Sequence, residues 1–131
     1  METIKRFEDL IVWQKSRKLA YNIYLLSEEA GIKKDFGLRQ QILNSSGSIP
    51  DNIAEGFERD GNKEYKQFLS ISKGSAGELR SQLYRILDRN ILTIEAHQEL
   101  HNLVIEISKM LSSMISNLNN NIHAGRKYKY H

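Results

Sequence analysis

Pro50 is the only proline in the chain, and it falls inside a stretch whose apolar spacing is otherwise helical. Phe36 to Leu43 carries that spacing upstream, and Ile53, Ala54 and Glu55 resume it downstream. A proline within a helix removes one i→i−4 hydrogen bond and crowds the carbonyl four residues back, here that of Ser46. Either a new helix starts with Ser48 as its cap and Pro50 in its first turn, or one long helix bends at this point. Gly47 and the serines beside it leave room for a bend, so the pattern predicts a single kinked helix. With one proline and eight glycines over 131 residues, punctuation is sparse and the elements must be long.

The apolar positions supply those elements. Val12, Ser16, Leu19, Ile23 and Leu26 step by four and three, predicting a first helix over about 9–30 with Asp9 as cap and Gly31 as stop. A second helix, 36–58, is capped by Asp35. Beside its apolar face runs a polar row, Gln41, Ser45, Ser48, Asn52 and Glu55, which is read as hydrogen-bonding neighbouring helices. The turn Asp60-Gly61-Asn62 leads to a third helix over 63–90, with Tyr65, Phe68, Ser72, Ala76, Leu79 and Leu83 inward. A fourth, 94–119, is capped by Thr93 and carries the seam His97, Leu100, Val104, Ile107 and Leu111. No strand pattern appears. The chain is therefore expected to be all-α: one domain, residues 1–119, forming an antiparallel up-down-up-down four-helix bundle with a proline-kinked second helix. Folding back about Asp60-Gly61 sets Gly56 near Tyr65 and Gly47 near Gly74, which gives Gly47, Gly74 and Gly77 a packing role.

Composition narrows the chemistry. There is no cysteine, which excludes disulfides, thiol nucleophiles and thiolate zinc sites. The first residues lack the apolar core of a signal peptide, and no run approaches the length of a membrane span, so a cytoplasmic protein with no membrane partner is expected. The formal net charge is +3, and Arg126, Lys127 and Lys129 account for it, leaving the rest of the chain balanced. The end, 120–131, has no period and is read as a basic, disordered tail.

Two cationic groups are candidate nucleic-acid contacts. Arg126, Lys127, Tyr128 and Lys129 combine phosphate-neutralising charge with stacking faces. Lys66, Lys73 and Arg80 stand seven apart on one stripe of the third helix, although Glu64 and Glu78 among them suit a mixed solvated face. His97 and His101, at i and i+4, have metal-binding spacing, but two imidazoles without an H-E-x-x-H pattern are read as a satisfied core or interface pair. No metal and no cofactor is expected. Glu55 and Arg59 are i, i+4 ion-pair partners. Nothing assembles a nucleophile, a base and an orienting group, so no enzyme is expected.

The motif Ser48-Ile49-Pro50-Asp51-Asn52-Ile53-Ala54-Glu55-Gly56, followed by Arg59, resembles a small bacterial family first noticed as reading frames in intervening sequences of 23S rRNA genes. Phe7-Glu8-Asp9-Leu10, Val12-Trp13-Gln14 and Phe36-Gly37-Leu38 support the resemblance, as does Gly74-Ser75-Ala76-Gly77-Glu78-Leu79. Its motif residues here are Ser48, Pro50, Asn52, Glu55, Gly56, Arg59, Gly74, Ser75 and Glu78. The resemblance implies a four-helix bundle assembled as a barrel-like homopentamer. It also implies kinship to an accessory protein of diversity-generating retroelements that binds nucleic acid and a reverse transcriptase. The expected function is a non-enzymatic, homo-oligomeric scaffold or adaptor, with RNA or DNA as one partner class. The alternative is a protein–protein interaction module with no nucleic-acid affinity.

Overall fold

The computed structural model describes residues 4–121, and every regular element within them is helical. A 3-10 turn, Phe7–Asp9, precedes α1 (Ile11–Ser27), a single helical turn α2 (Ala30–Lys33), α3 (Phe36–Glu58), α4 (Asn62–Asp88) and α5 (Ile94–Asn121). Helix α3 packs against both α1 and α4, and α5 against both α4 and α1, so the four long helices enclose one core. Leu19, Ile23, Ile42, Ile53, Leu69 and Leu83 are among its fully buried side chains.

The start and end of the first helix differ from the sequence expectation. Asp9 belongs to the 3-10 turn, and α1 begins at Ile11 without a side-chain cap. The helix stops at Ser27 rather than Ala30, and Gly31 sits inside α2. Two contacts account for the early stop. Ser27 Oγ donates to the Tyr24 carbonyl at 2.6 Å, and Arg39 Nε, reaching across from α3, donates to the Ser27 carbonyl at 3.1 Å. An orphan helix-end carbonyl is thereby satisfied, and the chain turns aside to bury Ile32.

Asp35 caps α3 by accepting from the Leu38 N–H at 3.1 Å. That bond, with the Arg89 guanidinium beside it, holds the Asp35 carboxyl below the ordinary range. Helix α3 runs unbroken through Pro50, so no new helix starts at Ser48. Helix α4 ends at Asp88, two residues short of Asn90, because Asn90 takes a left-handed conformation (φ 59°). Its N–H reaches the Leu87 carbonyl at 2.9 Å, and the Ile91 N–H reaches that of Ile86 at 3.3 Å, the double bond pattern that closes many helices. Thr93 Oγ1 accepts from the Ala96 N–H at 3.0 Å and opens α5.

The close approach between α3 and α4 lies at Gly56. A Cβ placed there would stand 2.7 Å from the Phe68 Cβ and 3.2 Å from the Tyr65 carbonyl oxygen. The packing role expected of Gly47, Gly74 and Gly77 is corrected: a Cβ at any of the three meets nothing within 4 Å. At about 100° per residue, Gly74 lies roughly 200° round the helix from Ser72, away from the buried seam.

Candidate functional site

Polar groups of α3, Ser48 of the motif among them, face α4 along a ladder of contacts. Ser45 Oγ donates to Gln82 Oε1 at 2.6 Å, and Ser72 Oγ donates to the Ile49 carbonyl at 2.8 Å. The hydroxyls of Ser48 and Ser75 are 2.8 Å apart. Asn52 Nδ2 donates to both the carbonyl and the Oγ of Ser48, each at 2.8 Å. Arg85 reaches Gln41 at 3.0 Å, and Arg89 reaches Asp35. Residue numbers fall along α4 as they rise along α3. Gln41, Ser45 and Ser48 of the row thus hydrogen-bond a neighbouring helix, as their spacing suggested, whereas Asn52 bonds within α3 and Glu55 pairs with Arg59.

The remaining motif residues differ in exposure. Glu55 and Arg59 are exposed and paired at 3.4 Å, and the Arg59 guanidinium lies 5.2 Å from the Phe68 ring centroid. Pro50 is buried, while Gly74 and Glu78 are exposed. Among the described residues, neither the Ser48 nor the Ser75 hydroxyl is hydrogen-bonded to a histidine, lysine or carboxylate. Among the described residues no three His, Asp or Glu side chains gather as metal ligands, and no helix is long and apolar enough to cross a membrane.

Of the cationic candidates, Lys73 and Arg80 are exposed and Lys66 is half-buried. None of the three forms an ion pair among the described residues. Arg126, Lys127, Tyr128 and Lys129 lie outside the described residues.

Three further features come from the structure, the third in part legible from the number of aromatic residues, Tyr21, Tyr24 and Tyr84 among them, that one bundle core cannot hide. Tyr84 of α4 packs on both histidines of α5, with ring centroids 4.8 Å from His97 and 5.9 Å from His101. His97 is buried but not satisfied, since its Nε2 has no hydrogen-bond partner among the described residues. Burial, with His101 nearby, pushes its pKa below 6.5, against a smaller opposing pull from Asp88. A depressed imidazole pKa stabilises the fold above about 6.5, and that contribution is lost as pH falls below it. The melting temperature is therefore expected to drop between pH 7.5 and 5.5, and His97→Gln should flatten that slope; an unchanged slope would remove His97 as its source.

Secondly, a groove of about 760 Å³ lies between α1 and α5, with Leu25, Leu100 and Leu103 in its wall and Glu29, Glu99 and Glu106 at its charged edge. Thirdly, exposed large apolar side chains crowd one half of the bundle. Arg39 on Ser27, Arg89 on Asp35 and Tyr84 on His97 place the end of α1, the start of α3, the end of α4 and the start of α5 together. That half carries Tyr21, Tyr24, Leu25, Phe36, Tyr84 and Ile94, six of the eight exposed large hydrophobics among the described residues.

A family model described as 23S rRNA-intervening sequence protein matches residues 8–113. The chain belongs to this family. The match contains all of the α3–α4 ladder and stops short of 120–131. No curated protein matches the chain. Among solved structures, a protein of unknown function from the S23 ribosomal protein family of Bacteroides thetaiotaomicron superposes with a TM-score of 0.75 at 29% identity. The superposition covers 80% of this chain and 98% of that one. Family membership thus accounts for the helical domain, and of the motif residues Ser48, Ser75 and Gly56 lie where α3 and α4 meet.

Proposed function

We propose that this family member is a non-enzymatic, homo-oligomeric scaffold or adaptor of the cytoplasm. In this reading the four long helices form an up-down-up-down antiparallel bundle, α3 bends at Pro50, and the assembly is a homopentamer, as the family resemblance implies. The observation that carries it is the concentration of six exposed large apolar side chains in one half of the bundle. Large apolar side chains left exposed together favour interaction sites, and aromatic residues are favoured there. The motif hydroxyls of Ser48 and Ser75 join α3 to α4, and Asn52 braces Ser48 from within α3, which suits a rigid framework better than a reaction centre.

Nucleic-acid association is the second reading. The Lys66, Lys73 and Arg80 row favours it, having no carboxylate partner among the described residues. Phosphate contacts release counterions and weaken steeply with salt. Light scattering separates the readings. A scaffold is expected at a multiple of the 15.2 kDa chain mass, about fivefold if a closed pentameric ring forms. Added mass with a short mixed-sequence RNA, confined to low salt, supports the nucleic-acid reading. Indifference to RNA supports a protein-interaction module, and a monomer at every concentration overturns the scaffold.

The bend has its own test. Pro50→Ala restores one backbone donor to α3 and is expected to straighten it; an unchanged helix path in the variant's structure would show that proline is not the cause.

A further inference from the structure

We infer that the α1–α5 groove of one copy receives the basic stripe of α4 from a second copy, with Lys66, Lys73 and Arg80 lying along Glu99 and Glu106. This rests on the homo-oligomeric reading above. Three carboxylates, Glu29, Glu99 and Glu106, line the groove with Lys18, and Lys15 pairs with Glu106 from beside it, which leaves an acidic balance of one. The facing surface carries the opposite balance and the same repeat. Lys66, Lys73 and Arg80 are seven residues apart on α4, and Glu99 and Glu106 are seven apart on α5. At a rise of about 1.5 Å per residue, both rows repeat every ~10.5 Å. One helix can therefore lie along the other with both carboxylates engaged.

Shape agrees with charge. Gly74 and Gly77 lie beside the basic row, and a Cβ at either meets nothing within 4 Å. A glycine in a helix interior is costly relative to alanine, and within one chain these two gain no close contact in return. A second backbone seated on them supplies one, while Leu25, Leu100 and Leu103 offer it an apolar floor. Lys15 of α1 pairs with Glu106, and Tyr84 of α4 packs on His97 and His101, so the acidic row and α4 lie on different flanks of α5. One copy therefore cannot join its own two rows. The contact is head-to-tail, and such contacts build rings when the rotation closes.

In any register that engages both carboxylates, the central Lys73 faces one of them, so Lys73→Glu is the informative variant. It is expected to raise the dissociation constant of the assembly at least tenfold in light scattering, with an unchanged far-ultraviolet circular-dichroism spectrum. Adding either Glu99→Lys or Glu106→Lys, whichever carboxylate Lys73 faces, should restore assembly. A wild-type monomer would overturn both this contact and the scaffold reading. A wild-type oligomer indifferent to Lys73→Glu would overturn the contact and leave the scaffold standing. Disruption that neither added substitution rescues overturns the pairing. Loss of RNA binding in Lys73→Glu with assembly intact assigns the row to nucleic acid instead.

Discussion

Replacing Gly56 by alanine is expected to destabilise the fold by about 1–3 kcal/mol, because a methyl group must enter a seam already packed to contact. The Cβ would meet the Phe68 Cβ at 2.7 Å and the Tyr65 backbone at 3.2 Å. Neither obstacle is the far end of a flexible chain. Relief requires α3 and α4 to separate at their shared turn, where Tyr65 and Phe57 are buried edge-to-face at 6.1 Å. The measurement is the denaturant midpoint of Gly56→Ala against Gly74→Ala. Gly74 is exposed with nothing near it, so in the isolated chain alanine there should stabilise by roughly 0.5–1 kcal/mol. Equal effects at the two positions would refute the close approach.

Ser45→Ala is expected to cost about 1–3 kcal/mol, far more than a solvent-facing hydroxyl would, by leaving the buried Gln82 Oε1 without a donor. The two side chains are 2% and 6% exposed and 2.6 Å apart. Replacing both, Ser45→Ala with Gln82→Met, removes the orphan together with its partner and should recover most of the loss. The signature is non-additivity in chemical denaturation, with a coupling of roughly 0.5–3 kcal/mol. Additive losses would mean that the hydroxyl and the amide do not depend on each other.

Much of this was legible in the chain because helical periodicity is local. Val12, Leu19 and Ile23 mark one face whether or not their partners are known, and Asp35 and Thr93 cap from three residues away. The polar row of α3 was legible for the same reason, as was the turn at Gly61, whose φ of 92° suits glycine. What could not be read depends on pairs distant in sequence. The end of α1 is decided by Arg39, twelve residues beyond Ser27. Tyr84 reaches His97 only through the crossing of α4 and α5. The α1–α5 groove is made by helices at opposite ends of the chain. The misreading of Gly47, Gly74 and Gly77 had a local remedy, since their positions off the apolar seam already point away from the core.

The α3–α4 ladder also bears on the order in which the molecule forms. Three residues, Arg59 to Gly61, join the two helices, and the tightest contact, Gly56 on Phe68, lies beside that junction. Closing so short a loop costs little chain entropy, and each contact further up the ladder shortens the closure required for the next. The unit from Asp35 to Arg89 can thus zip from its turn before α1 or α5 docks. Substitutions in the ladder should then slow refolding, whereas those on α1 should chiefly hasten unfolding.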